Sequence, residues 1–78
     1  MIELTIEELA RHDGTRGARA YAAFAGLVYN VTESLQWREG RHQALQRAGR
    51  DLTREIEAAP HGPELLLRMP VVGCLVSR

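Results

Sequence analysis

The most informative run of the chain lies between residues 37 and 61 and reads WREGRHQALQRAGRDLTREIEAAPH. It contains two of the three histidines, His42 and His61, on either side of a polar segment that we expect to form a small helical hairpin. Neutral imidazole is a common iron ligand in proteins. Two imidazoles that flank a short pair of helices could therefore hold a flat metal macrocycle from both sides.

Residues 41–48 form the first predicted helix of this hairpin. Gly40 and Gly49 bracket the segment, and His42, Leu45 and Gly49 fall near one helical face. This shared face predicts that His42 points inward as a metal ligand. The alternative is a polar histidine on the solvated side of the helix.

The second predicted helix begins near Asp51 and Thr53, which are good N-cap residue types. Pro60 cannot continue a helix, so the chain should turn there. The turn would hold His61 on a constrained corner, where its imidazole could bind a metal. The alternative is a surface histidine beside a turn.

The first half of the chain predicts one helix and one hairpin of strands. The sequence 5–8, TIEE, fits a capping box that opens a short helix, and Asp13-Gly14 ends it. Residues 20–25 and 27–31 then predict two short strands that turn at Gly26.

The last part of the chain predicts a helix followed by a strand. Pro63 should begin the helix and Pro70 should end it. Residues 71–76 should form a final strand that closes the sheet. We expect the buried side of the helix to consist of Leu65, Leu66, Leu67 and Met69.

Length and composition predict a single domain, 1–78. The chain has 78 residues, 45% of them apolar, which leaves no room for a second core. A domain of this size has a thin margin of stability. Cys74 is the only cysteine, so no disulfide can form within the chain. We therefore expect a bound group or self-association to add stability to the domain. The expected oligomeric state is a monomer or a weak homodimer.

Charge and hydropathy argue against several classes of partner. The net charge is zero and the arginines are scattered among acids, which argues against nucleic-acid binding. Residues 1–4, MIEL, do not resemble a signal peptide. No window approaches the roughly 18 to 20 apolar residues that span a bilayer. The sequence therefore predicts no membrane span and a cytoplasmic protein.

Several short motifs, taken in order, resemble the cytochrome b5-like family. Residues 48–53, AGRDLT, look like that family's Ala-Gly-x-Asp-x-Thr signature. The other matching runs are 8–14 (ELARHDG), 20–23 (AYAA), 26–32 (GLVYNVT), 59–62 (APHG) and 69–73 (MPVVG). The last two are similar to small prokaryotic members described as heme/steroid-binding proteins. The resemblance covers nearly the whole chain.

The resemblance implies an α+β fold, in which a small mixed β-sheet carries short helical hairpins that form a heme cleft. His61 matches the family's second axial histidine in its spacing from the Ala-Gly pair. The first ligand does not match, because the family's His-Pro-Gly-Gly motif is missing and Trp37 stands about where its histidine would be. His42 is the nearest histidine. The progesterone-receptor branch uses a tyrosine ligand, but no tyrosine follows Tyr29 here.

The resemblance also implies an apolar lining for the heme. Trp37 would contact the heme edge or fill the space that the family's histidine leaves. Any of the aliphatic residues could equally be ordinary core. The expected lining is Val31, Leu35, Trp37, Ala44, Leu45, Leu52, Ile56 and Ala59. His12, Met69 and Cys74 are expected to be structural.

Two functions follow from this pattern. The first is a b-type heme protein that transfers one electron to or from an unidentified redox partner protein, with His42 and His61 as axial ligands. The second is a non-redox module that binds heme or a steroid-like ligand for sensing, storage or delivery. An enzyme has little support, because the sequence shows no nucleophile with a plausible base and no Gly-rich phosphate loop.

Overall fold

The computed structural model describes residues 2–33, 41–42, 46–59 and 63–77. The strands and helices are short and are separated by turns. In chain order they are β1 (Ile2–Leu4), α1 (Ile6–Leu9), β2 (Tyr21–Phe24), β3 (Leu27–Asn30), β4 (Arg41–His42), β5 (Gln46–Arg47), α2 (Thr53–Glu57), a 3-10 helix (Leu66–Arg68) and β6 (Val71–Leu75).

The main sheet has four strands in the order β1-β6-β3-β2. β1 pairs with β6 in parallel, whereas β3 pairs with both β6 and β2 in antiparallel fashion. The predicted final strand is confirmed, and it lies inside the sheet rather than at its edge. Sequence reasoning missed β1, because three residues are too few to show an alternating pattern. The α+β class with a small mixed sheet is confirmed.

The predicted hairpin of β2 and β3 is also confirmed, and its turn is tight. Phe24 pairs with Leu27, so only Ala25 and Gly26 lie between the strands. Both have positive φ angles, 51° and 84°, as the favoured two-residue hairpin turn requires. The strands therefore keep the right-handed twist of the sheet.

Helix α1 begins with the predicted capping box. The Glu8 backbone N–H donates to Thr5 Oγ1 at 3.1 Å, and the Thr5 N–H donates to Glu8 Oε1 at 2.9 Å. Together these bonds satisfy two backbone donors at the start of a helix of only four residues. Leu9 at its end is fully buried.

The side chains of the main sheet form two separate apolar layers, because alternate residues of a strand point to opposite faces. We call them the α1 face and the α2 face. The α1 face contains Leu4, Leu9, Tyr21, Ala23 and Val28, with Val72 and Leu75 packed against them. The α2 face contains Ala20, Ala22, Tyr29, Val31, Ala48, Leu52, Ile56 and Leu66, with Phe24 and Met69 packed against them.

The helix predicted for residues 41–48 is wrong where the structure describes it. Arg41 pairs with Arg47 and His42 with Gln46, so β4 and β5 form a separate two-stranded antiparallel sheet. An eight-residue helix would be marginal, because forming its first turn is costly and few of its backbone groups find partners inside it. The argument that His42 shares a helical face with Leu45 and Gly49 therefore fails.

The two later helices meet expectation to different degrees. The helix predicted after Asp51 is confirmed as α2, but its N-cap is Leu52, which makes no side-chain cap hydrogen bond, and not Asp51 or Thr53 as predicted. The helix predicted after Pro63 reduces to a single 3-10 turn, in which Leu66 is buried but Leu67 is 55% exposed. A 3-10 helix repeats every three residues, so Leu66 and Met69 face the same side and Leu67 faces away from it.

Candidate functional site

The α2 face is the layer on which the expected heme cleft would rest. Val31 and Leu52 are fully buried there and Ile56 is 3% exposed. These residues come from two segments: Val31 directly follows β3, whereas Leu52 and Ile56 lie at the start and in the body of α2. All three belong to the expected lining, and the structure brings them into one cluster.

The rest of this layer is apolar and partly made of very small side chains. Ala20, Ala22 and Ala48 are 2%, 0% and 3% exposed. No buried side-chain nitrogen or oxygen lacks a hydrogen-bond partner in the described part of the chain. A layer of this composition suits a flat apolar group, since no polar atom would lose its bonds beneath it.

Gly49 permits the chain to pass closely beside the loop after α1. Its φ angle is 86°, and its N–H donates to the Tyr21 carbonyl at 2.6 Å. A Cβ at this position would lie 3.1 Å from Asp13 Cβ and 3.3 Å from the Ala10 carbonyl oxygen. Both the backbone conformation and the contact distance therefore favour glycine here.

Residues 50–52 then pair with β2 at the edge of the main sheet. The Ala23 N–H donates to the Arg50 carbonyl at 3.0 Å, and the Leu52 N–H donates to the Ala23 carbonyl at 2.8 Å. Asp51 and Ala23 form an isolated parallel bridge between these bonds. This pairing fixes Leu52 over the α2 face and sets the point at which α2 begins.

Asp51 and Thr53 connect the start of α2 to the sheet. Asp51 Oδ1 accepts from the Thr53 N–H at 3.1 Å and from its hydroxyl at 2.6 Å. The Thr53 oxygen accepts from the Ala25 N–H in the β2–β3 turn at 3.0 Å. Asp51 and Thr53 of the AGRDLT signature thus have a structural role, because their hydrogen bonds hold the start of α2 against the β2–β3 turn.

The same arrangement of an Asx residue and a threonine two positions later anchors the end of β3. Asn30 Oδ1 accepts from the Thr32 N–H at 3.0 Å and from its hydroxyl at 2.6 Å. Thr32 Oγ1 in turn accepts from the Ala20 N–H at 2.9 Å. Val31, between Asn30 and Thr32, is held over the α2 face by these bonds and by its own N–H, which donates to the Ala20 carbonyl at 2.8 Å.

A third copy of this arrangement lies in the loop after α1. Asp13 Oδ1 accepts from the Thr15 hydroxyl at 2.7 Å and from its N–H at 3.0 Å. The hydroxyl bond, followed by the N–H bond, lowers the pKa of the Asp13 carboxyl below its ordinary value, and Arg16 adds a smaller effect in the same direction. Asp13 is therefore ionised over the whole neutral range.

The expected axial ligands are described only in part. His42 is the second residue of β4, and its backbone pairs with Gln46. Ala59, from the expected lining, is partly buried just after α2, where its N–H donates to the Ile56 carbonyl at 3.1 Å. The other predicted site residues, Leu35, Trp37, Ala44, Leu45 and His61, lie outside the described residues.

The third histidine has contacts that agree with its expected structural role. The His12 ring stacks on the Tyr21 ring with centroids 4.5 Å apart and planes 5° from parallel. Its Nδ1 lies 3.1 Å from the Glu8 carbonyl oxygen in the last turn of α1, where an N–H donor is favourable. Among the described residues, no group of three or more His, Cys, Asp or Glu side chains could hold a metal ion.

Sequence reasoning did not include every residue of the α2 face in the expected lining. Ala22 and Tyr29 were treated as sheet residues, and Leu66 as part of a longer helix. The alternation of β2 and β3 would have identified the first two, since Ala22 and Tyr29 pair directly across the hairpin. No local signal marked Leu66, which reaches this face through the 3-10 turn.

Comparisons with known proteins agree with this geometry. Residues 5–76 match the family model described as Cytochrome b5-like Heme/Steroid binding domain. Among solved structures, a Hadesarchaea cytochrome b5 domain protein is 51% identical with a TM-score of 0.92, covering 97% of this chain and 100% of its own. A Methanococcoides burtonii cytochrome b5 domain protein is 47% identical with a TM-score of 0.92, covering 97% and 99%.

Two further findings bear on the class of protein. No curated protein matches the chain. Within the described residues, no helix is long and apolar enough to cross a membrane. The family model spans most of the chain, and the elements that it covers include both layers of the sheet. The chain belongs to the cytochrome b5-like heme/steroid-binding domain family.

Proposed function

We propose that this chain binds heme b and carries one electron, with His42 and His61 as the two axial ligands. The family is described as binding heme or steroids, which supports heme as a ligand of this chain. The observation that supports a site on this face is the buried aliphatic layer of Val31, Leu52 and Ile56. Bound heme would supply a reversible one-electron change at its iron.

The residues of the α2 face fit such a group chemically. Its members are aliphatic or aromatic, and in the described part of the chain no buried polar side-chain atom is left without a partner. Leu52, Ile56 and Val31 would exclude water from beneath the macrocycle. The two imidazoles would be the strong donors of the site, which is a common design for cofactor pockets.

Helix α2 would support the second ligand. Its first turn is tied to the sheet through Thr53 and Ala25, and Ile56 is buried against the sheet. The Ala58 N–H donates to the Arg54 carbonyl at 3.1 Å, so the helix end is also hydrogen-bonded. His61 follows Ala59 by two residues, and an anchored helix end would limit how far it can move.

The missing His-Pro-Gly-Gly motif, together with the strand pair at His42, favours a second candidate. In this reading the chain binds heme or a steroid-like molecule without carrying electrons. A single histidine ligand or none would then hold the group, and the α2 face would act as an apolar binding surface. Neither candidate requires the chain to be an enzyme.

Hemin titration of the purified protein and of two histidine variants tests these candidates. We expect a low-spin spectrum with split visible bands on reduction, which H42A and H61A each abolish. H12A is the matched control, because His12 stacks on Tyr21 and should leave the spectrum unchanged. A low-spin spectrum that survives H42A would contradict the assignment of the first ligand.

The same titration separates the two candidates. A high-spin spectrum that shifts with carbon monoxide would favour the non-redox heme module, because it reveals an open axial position. A protein that stays colourless would favour the steroid-like ligand. We also propose that the protein is cytoplasmic and exchanges its electron with a redox partner protein. We propose further that it is a monomer or weak homodimer, and sedimentation velocity tests this oligomeric state.

A further inference from the structure

The loop after α1 carries a local excess of positive charge in a chain of zero net charge. Residues 11–19, RHDGTRGAR, contain Arg11, Arg16 and Arg19 against the single carboxylate of Asp13. All three arginines are exposed. Within the described parts of the chain none of them is in an ion pair, whereas Arg50 is paired with Glu55 at 3.0 Å. We call residues 11–19 the arginine loop.

The arginine loop is held in one conformation by its own backbone. Asp13 and Ala20 form a bridge, the Gly14 N–H donates to the Arg19 carbonyl at 3.3 Å, and the Ala18 N–H donates to the Thr15 carbonyl at 2.9 Å. The Asp13–Thr15 hydrogen bonds add to these. A loop that is already ordered loses little conformational entropy when it binds a partner.

The base of the loop is also fixed against the body of the protein. The Tyr21 N–H donates to the His12 carbonyl at 2.9 Å, and their rings are stacked. Gly49 passes close to Asp13 and Ala10. Between Ala10 and Ala18 the surface is concave, and Arg11 and Arg16 lie on its wall with Asp13 and Thr15. The backbone that carries the three arginines is therefore held at both ends of the loop.

Acidic residues lie at the other end of α1. Glu7, in the first turn of the helix, lines a separate hollow together with Asp51 and Ser77. Glu3 on β1 is exposed. Glu7 and Asp51 thus lie in a different hollow from Arg11 and Arg16, and an uneven distribution of charge orients an approaching charged partner.

We propose that the arginine loop is a docking surface for a carboxylate-rich face of another protein. The planar guanidinium group presents paired N–H donors that match a carboxylate. Three exposed arginines on a rigid loop suit a small, transient contact that gains rate and orientation from charge. The proposal does not depend on the heme ligands.

Other anionic partners fit this surface less well. Strong, salt-dependent DNA binding is described for proteins that make about 6 to 10 phosphate contacts, and basic lipid-binding clusters carry about 4 to 8 cations. The arginine loop offers three cations and one anion. Arg11, Arg16 and Arg19 are exposed, so a single free phosphate would gain little from them in competition with water.

A deca-glutamate peptide is a suitable probe, titrated at low salt into ¹⁵N-labelled protein. We expect amide shifts confined to the arginine loop and its base, and a loss of binding at physiological salt. R16Q/R19Q should weaken binding about fivefold, since each exposed charge pair contributes little. R54Q/R68Q is the matched control, because it removes two other exposed arginines and the same charge.

Each other outcome overturns the proposal. Equal weakening by both double variants would show a response to net charge alone. Shifts of the same size with inorganic phosphate would indicate a small-anion site, and binding to phosphatidylserine vesicles without binding to the peptide would indicate a membrane surface. The ¹⁵N spectrum of each variant reports whether it is folded, so a loss of binding by unfolding is recognised directly.

Discussion

The two faces of the main sheet are built in different ways. The α1 face is closed by β1, α1 and β6 together with the hairpin, and Leu4 and Leu9 come from one short stretch of chain. The α2 face is assembled from residues 20–31, 48–56 and 66–69. The segments that contain the expected ligands follow directly on Val31 and α2. One face therefore closes the fold, and the other offers an apolar layer that a ligand could share.

The largest expected effect comes from replacing one buried leucine on the α1 face and one on the α2 face. L9A and L52A should each lower the free energy of unfolding by about 2–5 kcal/mol, because both side chains are fully buried. Only L52A should also weaken hemin binding, since Leu52 belongs to the α2 face. Urea unfolding and hemin titration measure the two effects. Equal loss of hemin affinity in both variants would contradict the claim that only the α2 face contributes to hemin binding.

The next test separates contact distance from backbone strain at glycine. G49A combines a left-handed backbone with a Cβ 3.1 Å from Asp13 Cβ, so we expect a loss of about 2 kcal/mol or more. G17A has a similar φ of 80° but nothing within 4 Å of the added Cβ. It should cost only about 1 kcal/mol. Equal losses in thermal unfolding would show that the close passage beside the loop is unimportant.

A smaller difference in stability should separate substitutions at Thr32 and Thr53, which make the same bonds to the Asx residue two positions before them. T32V removes the acceptor for the Ala20 N–H beside the α2 face, where Ala20 is 2% exposed, and should cost about 1–2 kcal/mol. T53V removes the acceptor for the Ala25 N–H in an exposed turn, where water can replace the hydroxyl. The cost of T53V should be about 0.5 kcal/mol, at the low end for a hydrogen bond. Denaturant midpoints compare the two, and the reverse order would contradict this reasoning.

The smallest predicted effect concerns pH and lies in the arginine loop. The pKa of Asp13 is lowered in the folded protein, so its stabilising contribution is present above the ordinary carboxyl pKa and is lost as the pH falls through the folded pKa. D13N should keep the turn, because Asn30 makes the same bonds to Thr32. The variant should therefore lose less stability than the wild type between pH 6 and pH 3. The difference should be below about 0.5 kcal/mol, since the carboxyl group is screened by solvent.

Local patterns predicted those elements whose chemistry lies within a few neighbouring residues. The Thr5–Glu8 capping box, the turn at Gly26 and the helix after Asp51 were all predicted, because each depends on residues close in sequence. Strand β2 was predicted to end one residue too late, since Ala25 belongs to the turn. The helix predicted for residues 41–48 failed for the opposite reason. Its spacing suited a helix, but pairing between β4 and β5 took the backbone hydrogen bonds of the residues that the structure describes.

The candidate site was predictable in part. The aliphatic residues Val31, Leu52 and Ile56 were identified by resemblance, and the structure brings them together on one face. The contribution of Ala22 and Leu66 was not identified, because an alanine and one leucine among three carry no signal of their own. The arginines of the loop look scattered among acids in the sequence, and only the fold shows that, among the described residues, none of the three is in an ion pair.

The sequence by itself determined the family and the short-range features, namely the Thr5–Glu8 capping box and the turn at Gly26. The three Asx-x-Thr turns at residues 13–15, 30–32 and 51–53 were not predicted, although they are equally local. All of these depend on bonds between residues that are close in sequence, which is why local residue types indicate them. The tertiary structure alone decided that β6 lies between β1 and β3, that Gly49 passes against the loop after α1, and which side chains share a face. These depend on which distant segments pack together, and that choice is made by the burial of the whole chain rather than by any local pattern.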